Sequence, residues 1–359
     1  MEFSLTEEQE LLQETVRGFV AKECPPPRLR ELFDAGEGHD VALWRGLAEM
    51  GLAGLAVPET FGGAGLEVLE LALVAEVLGA GALPAPFFGH SLATLALALG
   101  GSDAQRARWL PRLATGDLIG SVAFAEPGEA WDPAAWRLCL DGDRLTGAKR
   151  FAPHAHLADL LVVGIAGGGL ALVEPKAGGV QIERVDGLDR TRPLAHLRFE
   201  SAVAEALPQG GAAAPRVRDA GLVLLAADAL GGASHCIERS VQYAQTRVQF
   251  GVTISHFQAV KHQLANMAVD IEPARGLLWY AAHAFDHLPA VAERTAAVAK
   301  AHPTDRYYQI ARDTVEVHGG IGFTWECDVQ VWYKRAMFDR AFLGTPGVQR
   351  ERAARLGGW

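Results

Sequence analysis

The period of the apolar residues changes twice along this chain, and that order limits the folds open to it. Up to about residue 117 the apolar positions recur at helical spacing, as in Leu11, Leu12, Val16, Phe19 and Val20. Ser4 or Thr6 ahead of Glu7-Glu8-Gln9 supplies a helix start, with acidic residues on the positive end of the helix dipole. Pro25-Pro26-Pro27 predicts its stop. Further helices are expected near 40–50, 67–78, 92–99 and 105–113, closed by Gly51, Gly79, Gly100 and Gly116. From 118 to 207 the runs become short and apolar or alternating: 118–125, 138–140, 160–165, 170–173 and 194–199. Gly- and Asp-rich turns separate them, which is the signature of a β unit, and Gly167–Gly169 reads as a hairpin turn. Residues 207–216 read as a linker, followed by long helices over 218–246, 256–286, 290–318 and 329–343, with a kink or break expected at Pro273 and Pro303. Helices, then strands, then helices argue for separate α and β units and against an alternating βαβ sheet. The boundaries fall at 1–117, 118–210 and 211–359.

Charge and cysteine content remove several function classes. The net charge is −10 and the pI about 5.7, which argues against a chain-wide nucleic-acid surface. Four cysteines at 24, 139, 236 and 327 form no CxxC pair and fit a reducing, cytoplasmic setting. The opening residues lack the basic and apolar regions of a secretory signal. Glu70, Glu76 and Asp228 interrupt the longest apolar runs, so no transmembrane helix is expected. Gly89-His90-Ser91-Leu92-Ala93 lacks the last glycine of a nucleophile elbow. His283 and His287 stand four apart on a helix, with no third metal ligand evident.

Two stretches carry more chemistry. In Arg247-Val248-Gln249-Phe250-Gly251 a helix ends beside a basic residue and an aromatic. Arg247 can pair with a pyrophosphate through its planar fork, and Phe250 can cover an adenine; a helix C-cap with a hydrophobic contact explains the same residues. In Glu316-Val317-His318-Gly319-Gly320-Ile321-Gly322 three glycines in four positions allow close approach of a backbone or a phosphate–sugar chain, or form a tight interhelical loop.

Together these stretches resemble the acyl-CoA dehydrogenase family, in a bacterial branch with the patterns RxQFGxxIxxFQAVKH and VHGGIGFTWExD. The likeness covers essentially the whole chain. It includes Phe3-Ser4-Leu5-Thr6, Val57 to Gly65, Trp109-Leu110-Pro111, Ala125-Glu126-Pro127 and Gly147-Ala148-Lys149. The resemblance implies an α+β multidomain fold: an N-terminal helical domain, a middle β-barrel-like domain and a C-terminal four-helix bundle. It implies FAD as cofactor and α,β-desaturation of an acyl-CoA thioester. A carboxylate would take the α proton and the flavin the β hydride. An electron-transfer flavoprotein would be the acceptor.

Carried over residue by residue, Arg247, Gln249 and Phe250 match positions that reach the FAD of a neighbouring subunit. Glu316, Gly319 and Gly320 match a segment at the FAD adenosine end, with Glu316 standing where relatives carry Gln. Phe124 and Ala125 match the strand lining the flavin ring, and Phe151 an aromatic packed on it. Relatives often carry a hydroxyl at the positions of Ala125 and Pro153, and Gly-Ser-Asp where Glu129-Ala130-Trp131 stands. The segment 83–88 is expected to border the acyl pocket, and Arg216 or Arg218 either meets a CoA phosphate or is solvated. Leu343 occupies the position of the usual catalytic Glu, and a second family site for that Glu falls near Gly221. Asp228, seven residues on and on roughly the same helix face, is the expected base. Two readings follow: a dehydrogenase acting as a homodimer or homotetramer, or a catalytically silent subunit completing the FAD site of a paralogous partner.

Overall fold

The protein is described by a computed structural model covering residues 4–128 and 131–359. The first helices are α1 (Glu7–Glu23), α2 (Pro26–Ala35), α3 (Val41–Glu49), α4 (Val68–Ala80), α5 (Phe87–Gly100) and α6 (Asp103–Ala114). Strands β1 (Gly120–Ala123), β2 (Leu140–Asp141), β3 (Arg144–Pro153), β4 (Leu160–Ile165), β5 (Gly169–Val173), β6 (Val180–Arg184), β7 (Leu194–Val203) and β8 (Glu205–Ala206) follow. Then come α7 (Gly210–Thr246), the small strands β9 (Val248–Gln249) and β10 (Val252–Thr253), α8 (Gln258–His287), α9 (Pro289–His318), α10 (Val329–Ala341) and α11 (Pro346–Leu356). The helix–strand–helix order is therefore present.

Local chemistry explains both the agreements and the departures. Thr6 caps α1 in a reciprocal box with Gln9 (3.2 and 3.0 Å). The proline run ends α1 but also starts α2, because proline suits the first turn of a helix, where its missing N–H is not needed. The expected linker is the first turns of α7, whose Ala212–Ala214 favour helix. Pro273 and Pro303 lie inside α8 and α9 without breaking either helix.

Two compact units cut across the block order: residues 32–71 with 84–221, and residues 1–31 with 72–83 and 222–359. In the first, β1-β4-β5-β8 form one sheet and β2-β3-β7-β6 another. The β1–β4 pair is parallel, whereas β4 and β5 form the expected hairpin, Ile165 opposite Gly169. Ala123, Leu145, Leu161, Val163, Leu197 and Phe199 belong to one buried cluster of this unit. Helix α5 is buried almost all round. The second unit contains α8 to α11 and most of α7. Gly79 and Gly231 permit the contact of α4 with α7: a Cβ on Gly231 would lie 1.8 Å from the Glu76 carbonyl. Among the described residues only α7 is long and apolar enough to cross a membrane, and 83% of its apolar window is buried inside the protein, as in a core helix.

Candidate functional site

Helix α7 ends by donating from the Arg247 N–H to the Tyr243 carbonyl (2.8 Å), and the chain reverses through the β9–β10 hairpin. Its two-residue turn is Phe250-Gly251, with φ of +55° and +81°. Positive φ at both positions is what a tight hairpin needs, and glycine meets it freely. Phe250 does not, yet its ring is 93% exposed. It meets Phe257 edge-on, ring centres 6.1 Å apart, which leaves most of the aromatic surface open. Arg247 is exposed beside it and, among the described residues, its guanidinium makes no hydrogen bond or ion pair. Gln249 is exposed too and donates to the Val248 carbonyl (2.9 Å).

The second motif lies at the end of α9. His318 is buried, shares a hydrogen bond of 2.8 Å with the Thr314 carbonyl through Nδ1, and stacks on Tyr243 with ring centres 4.3 Å apart. This stack joins the ends of α7 and α9, so the two motifs occupy one end of the bundle. Burial holds the His318 imidazole below its ordinary value, which the Thr314 bond opposes and Arg239 reinforces. Gly319 takes φ +65°, and Gly322 packs where a Cβ would meet the Val315 carbonyl at 2.4 Å. Gly320 is open, and Glu316 is exposed. A cavity of about 340 Å³ beside the stack is lined by Arg239, Tyr243, Thr246, His318, Ile321 and Glu326, among others.

The other expected residues lie in the β unit. Phe124 is buried and stacks on Trp136 (5.2 Å), and Ala125 is fully buried, its carbonyl accepting from the Arg150 N–H (2.7 Å). The Phe124 ring is thus spent on the core, and what this segment can present is backbone. Lys149 fixes it from behind, donating to the Phe124 carbonyl (3.1 Å) and to Glu126 (2.8 Å). Burial pushes Lys149 down to about 8, against the pull of Glu126. Burial raises the Glu126 carboxyl, but Lys149 and the Leu138 and Arg137 N–H groups outweigh it and hold the group below its usual range. This pair is not among the residues expected from the sequence; a Lys and a Glu inside apolar strand segments are the signal for it. Phe151 has φ +55° at a register shift of β3 against β7, its ring edge-on to His196 (5.1 Å). Of the Glu129-Ala130-Trp131 departure, residues 129 and 130 lie outside the described residues.

Asp228 is not placed as a base. Arg335 donates to both of its oxygens, Nε to Oδ1 at 2.9 Å and the terminal nitrogen to Oδ2 at 2.6 Å, with both side chains under a tenth exposed. A buried fork of this kind makes Asp228 a structural counter-ion. Arg218 is likewise buried, against Asp219 (3.0 Å), rather than solvated. Leu343 is 1% exposed at φ +55° in the turn between α10 and α11. His90, in the near-elbow, accepts from the Gly120 N–H through Nδ1 (3.1 Å) and so donates from Nε2 to Ala53 (3.1 Å), a core role. No metal cluster is present among the described residues.

Residues 6–117 match the model of the acyl-CoA dehydrogenase N-terminal domain, and residues 219–357 that of the C-terminal domain. The chain belongs to the acyl-CoA dehydrogenase family. It is 34% identical to the acyl-CoA dehydrogenase IpdE2 of Mycolicibacterium smegmatis, over 97% of this chain and 98% of that protein. Among solved structures it resembles a variant of the Tcur3481-Tcur3483 steroid ACAD (31% identity, TM-score 0.91, 98% of both chains). It also resembles the ChsE4-ChsE5 complex from Mycobacterium tuberculosis (28% identity, TM-score 0.90, 100% of this chain and 99% of that one). The acyl-CoA dehydrogenases are FAD-dependent oxidoreductases of lipid metabolism. The donor set in the bundle unit fits the nucleotide part of that cofactor: an unpaired exposed guanidinium, an exposed aromatic and a glycine pair with open space.

Proposed function

We propose that this chain is a subunit of an FAD-dependent acyl-CoA dehydrogenase whose α-proton-abstracting carboxylate is supplied by a partner subunit. Buried Leu343 at the position of the family's usual base carries this reading, and the engagement of Asp228 by Arg335 supports it. Arg247 would pair with the pyrophosphate of the FAD held by a neighbouring subunit and Phe250 would cover its adenine. Gly319 and Gly320 would admit the adenosine end closely, with Gln249 and Glu316 as polar contacts. When bound, FAD would supply the hydride-accepting chemistry at the β carbon of the acyl-CoA. Separately, in the β unit, Phe124, Ala125 and Phe151 would line the ring of the flavin that this chain itself holds, through backbone and one aromatic edge. Leu343 cannot accept a proton, so its part is to close the site against water. The partner is a paralogous, Glu-bearing chain, the electron acceptor an electron-transfer flavoprotein, and the setting cytoplasmic; none of the four cysteines forms a disulfide among the described residues, which fits that setting.

The homo-oligomeric dehydrogenase is the competing reading, favoured by the intact Arg247–Phe250 apparatus. Visible spectra separate the two. The chain reconstituted with FAD alone should not bleach anaerobically with any of a panel of acyl-CoAs, steroid side-chain thioesters included, and should bleach once the Glu-bearing paralogue is added. Bleaching by the chain alone would overturn the proposal.

A further inference from the structure

The turn that follows α10 is held by side chains that no step above uses. Its residues, Phe342-Leu343-Gly344-Thr345, contain two consecutive left-handed positions, Leu343 at φ +55° and Gly344 at +94°. A leucine does not choose that pose unaided. The surrounding donors impose it. Lys300, on α9 and fully buried, donates from Nζ to the Arg340 carbonyl (2.9 Å) and to the Gly344 carbonyl, one on each side of residue 343. Gln349, on α11 and 3% exposed, donates from Nε2 to the carbonyl of Leu343 itself (2.7 Å). The Gly344 N–H closes on the Ala341 carbonyl (3.2 Å). Side chains from two helices, α9 and α11, thus converge on the carbonyls of one five-residue stretch at the end of α10.

We infer that Lys300 and Gln349 are positioning residues that fix the backbone at residue 343 independently of the side chain it carries. This rests on the reading above that residue 343 occupies the base position of the family. A helix end needs its last carbonyls satisfied, but water or a glycine cap commonly does that. Burying a lysine without a carboxylate in hydrogen-bond contact is an expensive way to do so and implies a demand for exact placement. Burial pushes Lys300 down to about 7, opposed by Asp339 and assisted by Arg340. The neutral amine still carries two N–H groups, one for each carbonyl, so the hold survives loss of the charge. The support for a catalytic side chain is therefore complete here, while the side chain it would support is a leucine. A carboxylate introduced at 343 should inherit that placement.

Hydrogen exchange of the full chain tests the hold directly. Lys300→Met keeps the stem length and removes both donors. Amides of residues 341–349 should then exchange at least tenfold faster while α7 keeps its protection, and Lys300→Arg should recover part of the loss. Should Lys300→Met fail to fold, Gln349→Leu provides the same local readout. Unchanged exchange over 341–349 in a folded variant would overturn the inference. The second arm uses Leu343→Glu with FAD and a paralogous subunit whose own base Glu has been changed to Gln, following loss of α-deuterium from a labelled acyl-CoA. Washout should rise at least a hundredfold above the parent, and adding Lys300→Met should cut that gain at least tenfold. A gain indifferent to Lys300→Met would overturn the positioning role. No gain on a turn shown intact by exchange would instead sink the assignment of 343 as the base position, leaving the hold of Lys300 on the turn standing.

Discussion

Two turns in this molecule share a backbone and differ in everything else. Phe250-Gly251 and Leu343-Gly344 each place a large apolar residue at φ +55° ahead of a left-handed glycine. The first is 93% exposed; the second is 1% exposed, with its flanking carbonyls claimed by Lys300 and Gln349. A left-handed pose costs a non-glycine residue roughly 1–2 kcal/mol wherever it occurs. Inside the bundle, packing and hydrogen bonds offset that cost. On the hairpin the tight turn, which needs positive φ at both positions, and an edge-on contact with Phe257 (6.1 Å) offset it, and most of the ring is left open to another molecule. One of the two left-handed residues thus points inward into support, and the other outward with its ring open to a ligand.

The comparison breaks if disturbing the buried turn and its helix proves harmless. Helix α10 carries both that turn and Arg335, so Asp228→Asn, which leaves a buried guanidinium half-paired, should cost about 3–5 kcal/mol in urea unfolding. A loss under about 1 kcal/mol would reopen a catalytic role for Asp228. Leu343→Ala empties a packed site and should cost about 2–5 kcal/mol in the same assay. An equal cost for Phe250→Ala would erase the distinction between the two turns.

Both assays have a pH window. Burial holds His154 at about 3 and His90 at about 4, below the usual imidazole value of 6.5. These groups are neutral when folded and take up protons once unfolded, so their contribution is full above about pH 6.5 and falls as the pH drops toward the folded values. At pH 5.5 each should remove about 1.4 kcal/mol of stability, or about 2.8 kcal/mol together. Flat stability between pH 7.5 and 5.5 would contradict their burial.

The sequence made the fold order readable because period is a property of many residues at once. Apart from α2, the helices of 7–114, those of 218–341 and the β4–β5 hairpin follow from it. What it hid had local causes. Strand β3 carries Lys149 at an inward position, which reads as polar until Glu126 is found beside it. Helix α11 is mostly polar and charged, with no apolar stripe to announce it. Prolines mark helix breaks in a sequence, yet α8 and α9 absorb theirs. At the site, Arg247, Phe250, Gly319 and Gly320 were legible as motif residues, because exposed residues keep the chemistry of their type. The roles of Asp228, Lys300 and Gln349 were not, because they depend on partners 107, 40, 44 and 6 residues away in the chain.

The smallest stability effect should come from the exposed turn, and it sharpens the contrast most. Arg247→Ala and Phe250→Ala remove side chains that are exposed in the isolated chain, so each should shift unfolding by no more than about 0.5 kcal/mol. Their effect belongs to the assembled protein. Arg247→Ala should emerge from gel filtration with the paralogous subunit colourless where the parent is yellow, since an arginine fork on a pyrophosphate has no substitute at that position. Phe250→Ala should retain flavin more weakly, because stacking is worth less than a charge-assisted pair. A chain that stays fully yellow after Arg247→Ala would mean that the strain on the hairpin is relieved by subunit contact alone. Loss of colour at unchanged stability would place the missing partner of this turn in the cofactor.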